Sequence, residues 1–351
     1  MNTNPSLSEP QIGVLLVNLG TPTSPTRKDI RRFLREFLSD PKVMTMAPAL
    51  RWTLVNLIIA PFRPRKLVPA YEKIWLSEGS PLLVYSRALQ QTLSQELDDR
   101  FHVDLAMRYQ TPDIASALRQ MKDRGIQRLI LLPQFPQYSE SATGSILVKV
   151  EEELEKLGQP FEVETLHDFY DEEAFIEAQA ETARPLLSQS DWDHVLFSFH
   201  GLPESQVREV PGCLTRDDCC EIRQKGEDRC YRAQCFGTSR ALAQSLGLAA
   251  EQYSTSFQSR LGRDPWIKPY TDVILSELYE RGIRRLFVVC PAFTADNLET
   301  AEEINIRLRE QWMEAGGEAF ELAPCVNDST SYAHALAAWV ARLAQRWEDA
   351  P

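Results

Sequence analysis

Two apolar runs, each closed by Gly-x-Pro, constrain the fold of this chain most. Residues 14–22 resemble residues 195–203, so that Gly20 falls on Gly201 and both runs end two residues later in proline. A short apolar run that stops at glycine and proline is typical of a buried parallel strand. The repeat therefore predicts two similar α/β halves, each beginning its sheet in the same way.

A second pair of segments supports this duplication. Residues 123–133 resemble residues 280–291, and both read as the end of a helix, an Arg-Gly-Ile turn and a strand closed by proline. Strands that alternate with helices along the chain indicate βαβ units and a parallel sheet. We expect the halves to divide near residue 168, giving domains 1–168 and 169–351, with the C-terminal helix able to pack back on the first half.

Hydrophobic periodicity places the individual elements. Strands are predicted at 12–19, 103–107, 129–132, 161–166, 195–200 and 286–289, and helices at 26–37, 82–97, 114–121 and 332–347. A further helix is predicted to start near Asp296. The chain is thus expected to be an α/β protein with two parallel sheets.

Charge and apolar content exclude some functions. The 351 residues carry a net charge of -12, which argues against a general nucleic-acid binder because phosphates require clustered lysine and arginine, but is compatible with a cationic ligand. Residues 1–10 show no secretory pattern, so a cytoplasmic protein is expected. The apolar stretch 47–62 is interrupted by Arg51 and too short to span a bilayer, although it can lie peripherally on the inner membrane surface.

His200 ends the strand of residues 195–200. Ligands bind at the carboxyl ends of parallel strands, where an imidazole is suited to proton transfer. The alternative is that His200 only caps the strand and bonds a neighbouring backbone group.

Three carboxylates follow the strand of residues 286–289. Asp296, Glu299 and Glu303 are spaced to share one face of a helix, and this helix should open onto the same sheet edge as His200. The alternative is a capping box, with Asp296 as N-cap and Glu299 three residues on. An imidazole facing carboxylates across a cleft suits a reaction that removes protons from a ligand while a divalent cation arrives.

Several motifs in order along nearly the whole chain resemble those of ferrochelatase, the enzyme that inserts Fe²⁺ into a porphyrin to make haem. They lie at residues 16–22 (LVNLGTP), 37–40 (FLSD), 79–82 (GSPL), 198–203 (SFHGLP), 255–260 (TSFQSR), 265–272 (PWIKPYTD) and 293–300 (FTADNLET). The resemblance implies two flavodoxin-like halves with the porphyrin in the cleft between them. It implies Fe²⁺ and porphyrin as substrates.

The resemblance also assigns roles to residues. His200 is the base that takes the pyrrole protons or a ligand on the metal side, Glu299 faces it, and Asp296 and Glu303 lead outward as a path for protons or metal. Residues expected to line the macrocycle are Leu19, Tyr71, Arg108, Tyr109, Phe135 and Trp266, with Arg63 and Arg65 near a propionate-binding lip. Asn297 stands where some members of the family carry histidine, which weakens any assignment of that position as a metal ligand.

Five of the seven cysteines fall between residues 213 and 235. Four thiolates can hold a [2Fe–2S] cluster or a structural Zn²⁺, and the cluster is favoured because some ferrochelatases carry one. The predicted ligands are Cys213, Cys220, Cys230 and Cys235, with Cys219 as the alternate. Unligated thiols are the remaining alternative, and Cys290 and Cys325 are expected to be core residues.

Other functions stay open at this stage. The porphyrin is predicted to be protoporphyrin because the 47–62 stretch is apolar, with coproporphyrin or another tetrapyrrole as alternatives. A tetrapyrrole-binding protein with a redox-sensing cluster and no catalysis, in which His200 is an axial ligand, is the competing hypothesis from another class. A zinc-stabilised nucleic-acid module conflicts with the acidic charge.

Overall fold

A computed structural model describes residues 12–214, 218–220, 229–260 and 264–349. The first half contains the parallel strands β1 (Ile12–Gly20), β2 (Phe101–Tyr109), β3 (Arg128–Pro133) and β4 (Glu162–Thr165), in the order β2-β1-β3-β4. The second half contains β5 (His194–His200), β6 (Tyr253–Gln258), β7 (Arg285–Val289) and β8 (Ala319–Leu322), in the order β6-β5-β7-β8. The fold prediction is confirmed, because both sheets are parallel and have the same order.

The helices of the first half and its connection to the second are α1 (Arg27–Ser39), α2 (Pro48–Thr53), α3 (Ala60–Phe62), α4 (Pro64–Ile74), α5 (Pro81–Glu96), α6 (Ile114–Asp123), α7 (Ser145–Leu157) and α8 (Glu173–Leu187). The second half adds α9 (Glu204–Val207), α10 (Tyr231–Ser245), α11 (Thr271–Glu280), α12 (Arg309–Glu314) and α13 (Thr330–Glu348). Segments Leu54–Ile59, Glu140–Gly144 and Glu299–Leu308 are π-helical, and Ala250–Gln252 is a 3₁₀ turn.

Helix α1 shows why the periodic segments fold locally. Thr26 accepts a hydrogen bond from the backbone N–H of Asp29, and Ile30, Phe33, Leu34 and Leu38 turn one apolar face inward. The other strands and helices named in the sequence lie within a few residues of their predicted bounds, except for the helix expected at Asp296, which is described below.

The apolar core runs through both halves. Side chains from β1 and β3 share one continuous cluster with those from β5 and β7, and α13 packs against α5, α8, β3 and β4. The C-terminal helix therefore lies against the first half, and the division near residue 168 remains a prediction.

The topology brings two strand ends together. In each sheet the chain crosses to opposite sides of the first strand, so the crevice at the carboxyl ends of β5 and β7 is a switch point. His200 ends β5, and the segment leading to Glu299 follows β7, which pairs directly with β5.

Candidate active site

His200 is held in one tautomer. Its Nδ1 lies 2.6 Å from the carbonyl oxygen of Gly201, and because a carbonyl can only accept, Nδ1 must carry the hydrogen. The other ring nitrogen, Nε2, is then the one with a lone pair. The imidazole is partly exposed, so it is placed to accept a proton from a ligand.

Two aromatic rings flank this imidazole. The ring centroids of Trp266 and Phe293 each lie 6.4 Å from that of His200. Trp266 is brought there by a backbone bridge to Pro203. A Cβ on Gly201 would lie 2.8 Å from the carbonyl oxygen of Gln258 and 3.1 Å from the Trp266 ring. Glycine after His200 is thus required by the close approach of these two neighbours.

The helix that carries Glu299 begins later than predicted. The alternative of a capping box with Asp296 as N-cap is wrong, because the Asn297 side chain accepts hydrogen bonds from the backbone N–H groups of Glu299 and Thr300. Asp296 instead accepts from the Thr300 hydroxyl and from the Asn327 amide. The segment from Glu299 is π-helical, a geometry that is frequent at functional sites.

Glu299 lies in an environment that disfavours its charge. Burial raises the pKa of its carboxyl group, and the charge of Glu303 raises it further, whereas His200 and Arg63 act in the opposite direction. His200, 99 positions away in the chain, therefore acts on the Glu299 carboxyl group. The pair places an imidazole beside a carboxyl group whose proton affinity is increased.

Glu303 leads away from this pair. Its carboxylate accepts hydrogen bonds from the backbone N–H and the hydroxyl of Ser259, at 3.1 and 2.7 Å, and it lines a cavity of about 240 Å³ together with Arg307. Asp296, the third predicted carboxylate, is fixed by Thr300 and Asn327. Among the three, Glu303 is the one whose charge acts on Glu299.

Arg63 and Tyr71, which belong to the first half of the chain, lie close to Glu299. Arg63 is partly buried; burial lowers the pKa of its guanidinium, while Glu299 and Glu303 oppose that shift. Tyr71 is buried, and burial together with the charge of Glu299 raises the pKa of its phenol. Leu19 and Tyr71 share an apolar cluster with Leu298, the residue before Glu299.

Other predicted substrate residues have different surroundings. Arg108 and Tyr109 both bind Asp40 through their side chains, at 2.6 and 2.8 Å, and Tyr109 is almost fully buried. Phe135 packs on the core between the first sheet and helices α6 and α7. Arg65 is exposed, and its positive charge contributes to lowering the pKa of Arg27. The structure brings Arg63, Tyr71, Leu19 and Trp266 to His200 and Glu299 more directly than these four.

Phe293 and Ser259 were not predicted as site residues. Ser259 directly follows β6, and Phe293 follows β7 by a few residues. The signal that could have found them is the general rule that functional side chains follow the carboxyl ends of parallel strands.

Two surface features lie near helix α1. The exposed large apolar side chains of the segment from α2 to α3 are Leu50, Trp52, Leu57, Ile58 and Phe62, with exposed fractions of 54–64%. A groove of about 790 Å³ is lined by Lys28, Arg31, Arg32, Arg35 and Arg108, with Glu36 and Asp40. In the part of the chain that is described, no helix is long and apolar enough to cross a membrane.

The cysteine segment is buried and its thiols approach one another. Sγ of Cys213 lies 3.4 Å from Sγ of Cys230, and Cys220 hydrogen-bonds Cys230. Tetrahedral ligation with metal–sulfur distances of about 2.3 Å separates thiolates by about 3.8 Å, and the Cys213–Cys230 pair comes near that separation. Within the described ranges, no group of three or more histidine, cysteine or acidic side chains is placed so that it could hold a metal ion. Cys290 and Cys325 are buried core residues, as expected.

Comparisons with known proteins agree with this geometry. Residues 11–344 match the family model described as ferrochelatase. The chain is 42% identical to ferrochelatase from Bdellovibrio bacteriovorus, over 93% of this chain and 97% of the relative. It is 45% identical to ferrochelatase from Coxiella burnetii, over 93% of this chain and 92% of the relative. The ferrochelatase of Legionella pneumophila is also 45% identical, over 92% of this chain and 97% of the relative.

Solved structures show the same fold at low sequence identity. SirB from Bacillus subtilis with Fe³⁺ aligns with a TM-score of 0.56 and 10% identity, covering 96% of this chain and 97% of that chain. The sirohydrochlorin chelatase SirB in complex with cobalt aligns with a TM-score of 0.54 and 9% identity, covering 95% of this chain and 94% of that chain. At this level of identity the likeness concerns the fold alone.

Proposed function

The chain belongs to the ferrochelatase family and is a metal-inserting lyase of haem biosynthesis, and we propose that His200 and Glu299 form its reaction centre. The observation that carries this proposal is their placement, because His200 ends β5 and Glu299 follows the paired strand β7, where His200 acts on the Glu299 carboxyl group. Its substrates are a porphyrin and ferrous iron.

His200 acts as the base in this proposal. A free porphyrin carries two inward N–H groups, and both protons must leave as one Fe²⁺ takes their place between the four nitrogens. Nε2 of His200 accepts these protons in turn, since Nδ1 is committed to Gly201. The alternative role, a ligand on the metal side, uses the same lone pair and the same orientation.

Glu299, which faces His200, and Glu303 supply the acidic groups in this proposal. Glu299, with its raised pKa, holds a proton more strongly than an ordinary glutamate and is placed to exchange protons with the site. Glu303, held by Ser259 at the edge of a cavity, passes protons or iron between Glu299 and solvent. Asp296 supports this segment through Thr300.

The walls of the cleft hold the ring. Trp266 and Phe293 beside His200, and Leu19 and Tyr71 beside Leu298, offer apolar surfaces to a flat aromatic substrate. Binding a distorted porphyrin, with nitrogen lone pairs directed out of plane, favours metal entry because the strain is relieved as the product forms.

Arg65 is the cation for a propionate group in this proposal. It is exposed beside the apolar segment that contains Phe62, whereas Arg63 is turned toward Glu299 and Glu303. Arg63 accordingly offsets the negative charge of the two glutamates.

The proposed porphyrin is protoporphyrin. The exposed apolar residues Trp52, Leu57 and Phe62 suit a ring with two carboxylates better than one with four. Iron-insertion assays with protoporphyrin and coproporphyrin test this assignment. We expect a higher kcat/KM for protoporphyrin, and activity with coproporphyrin alone would overturn it.

The same apolar residues are proposed to contact the inner surface of the cytoplasmic membrane. Basic residues of α1, including Arg27 and Lys28, lie next to them, since Arg27 bonds the carbonyl of Pro61. An apolar patch flanked by cations favours an anionic lipid surface.

The cysteine segment is proposed to hold a [2Fe–2S] cluster through Cys213, Cys220, Cys230 and Cys235. Such a cluster supplies one-electron chemistry and a rigid cross-link when bound. The close approach of Cys220 to Cys230 supports Cys220 over Cys219. Iron and acid-labile sulfide counts, together with the visible absorption spectrum, test this proposal. Finding zinc and no acid-labile sulfide would overturn it in favour of a structural zinc site.

A further inference from the structure

The first turn of helix α10 joins the cysteine segment to the backbone of His200. Tyr231 is the first residue of this helix and directly follows Cys230. Its hydroxyl donates a hydrogen bond of 2.7 Å to the carbonyl oxygen of His200. The ring is buried, so this bond is shielded from water and stronger than an exposed one.

The same hydroxyl also contacts a proposed cluster ligand. Cys235 lies one helical turn after Tyr231, on the same face, and is fully buried. The Tyr231 hydroxyl and the Cys235 side chain are hydrogen-bonded to each other. One phenol oxygen therefore connects the cysteine site with the residue proposed as the base.

The peptide unit between His200 and Gly201 is held at both ends. Its carbonyl accepts from Tyr231, and its N–H donates to the carbonyl of Gln258 at 2.8 Å. The carbonyl of Gly201, the next along the chain, accepts from Nδ1 of the imidazole. A rotation of this peptide unit would shift the acceptor of Nδ1 and turn the imidazole.

A second link reaches the opposite wall. Arg232 donates from Nη1 to Sγ of Cys220 at 2.9 Å and from Nε to the carbonyl of Lys268 at 3.2 Å. Lys268 follows Trp266 by two residues. The cysteine segment is thus bonded to the backbone on both the His200 and the Trp266 sides of the cleft.

We propose that Tyr231 is a positioning residue that sets the orientation of His200. The proposal rests on the proposed role of His200 as the base. The Tyr231 hydroxyl fixes the His200 peptide unit through its carbonyl oxygen, and losing this bond lowers turnover through His200.

The effect falls on kcat and not on porphyrin affinity. Trp266 and Phe293 lie beside His200, and Leu19 and Tyr71 lie beside Leu298, so removal of the Tyr231 hydroxyl removes no atom from the walls proposed to hold the ring. Misplacing a catalytic group by a fraction of an ångström to an ångström lowers the rate by about tenfold to a hundredfold.

Tyr231→Phe tests this proposal, because it keeps the ring and removes only the hydroxyl. We expect kcat for iron insertion to fall about tenfold or more, with the visible spectrum and the Kd for protoporphyrin, measured by fluorescence quenching, unchanged. Tyr332→Phe is the control, since it removes another buried hydroxyl, bonded to the side chain of Gln134. It should leave kcat unchanged. An unaltered kcat in Tyr231→Phe would overturn the proposal.

A double-mutant cycle separates positioning from general structural damage. If Tyr231 acts through His200, adding Tyr231→Phe to His200→Ala causes no further loss, whereas a fully additive loss would contradict the proposal. Wild-type turnover in His200→Ala alone would instead refute the proposed function.

Discussion

Nη2 of Arg108 lies 2.6 Å from Oδ2 of Asp40, and these side chains are only 15% and 4% exposed. The hydroxyls of Tyr109 and Ser145 bond the same carboxylate oxygen. Burial alone would raise the pKa of Asp40, but the hydrogen bonds from Ser145, the Lys42 N–H and Tyr109, with the charge of Arg108, hold it below its usual range. This network ties the end of α1 to the end of β2.

The network predicts a large cost for removing its cation. Arg108→Ala should lower the free energy of unfolding by about 3–5 kcal/mol, because it leaves a buried carboxylate unpaired. Urea unfolding followed by circular dichroism measures this. Because the folded-state pKa of Asp40 is lowered, the stabilisation is present above its unfolded value and is lost as pH falls through the folded value.

The control for this substitution is Arg100→Ala. Arg100 pairs with Asp98 on the surface, where both side chains are more than half exposed, so the loss of stability should be much smaller than for Arg108→Ala. Equal effects of the two substitutions would contradict the account of the Asp40 network.

The raised pKa of Glu299 predicts that its contribution to stability depends on pH in the opposite sense from that of Asp40. Its folded-state pKa is raised, so the stability it contributes is full below the pKa of an unfolded glutamate and is lost as pH rises through the folded value. Glu299→Gln should therefore unfold at a higher temperature than wild type at pH 8, with the difference shrinking toward pH 4, while iron insertion is lost. Thermal unfolding across this range measures it, and a variant less stable than wild type at pH 8 would contradict the prediction.

The conformation of Gly20 predicts that the end of β1 requires glycine. Its φ is +111°, and an added Cβ would lie 2.0 Å from the carbonyl oxygen of Tyr109. Gly158 also has a positive φ, +81°, but nothing lies within 4 Å of an added Cβ. Gly158→Ala should cost about 1–3 kcal/mol from backbone strain alone, and Gly20→Ala clearly more. Similar losses of melting temperature in the two variants would argue against a steric requirement.

The apolar surface segment predicts lipid binding. Trp52→Glu with Phe62→Glu should reduce binding to vesicles of phosphatidylglycerol and phosphatidylcholine at least about tenfold, because each ring contributes about 1.5–3 kcal/mol when buried. Val148→Glu, on helix α7, is the control, since Val148 is also exposed but lies outside this segment. Co-sedimentation measures the bound fraction, and equal binding of all three proteins would refute membrane contact through this segment.

Local sequence patterns were sufficient for six of the eight described strands, whereas β6 and β8 were not predicted. Apolar runs closed by glycine and proline marked β1 and β5, and the repeat of residues 123–133 at 280–291 marked α6 with β3 and α11 with β7. The equal strand order of the two sheets confirms the duplication. The position of His200 at a strand end followed from the same local signals.

Non-local contacts explain what the sequence could not provide. Asp296 fits a capping box by spacing alone, but Asn327, 31 residues away, binds its carboxylate, and Asn297 bonds the first N–H groups of the helix instead. Arg108 is paired with Asp40, 68 residues away. Which acid a given cation faces depends on the tertiary fold, and spacing along the chain carries no signal for it.

The most direct measurement compares turnover and porphyrin binding in His200→Ala. The account predicts that kcat for iron insertion falls by about 10²–10⁴, as expected for loss of a general base, while the Kd for protoporphyrin stays within about threefold of wild type. Turnover equal to wild type, or a loss of porphyrin affinity that accounts for the whole decrease in activity, would contradict the central claim that His200 and Glu299 perform the reaction.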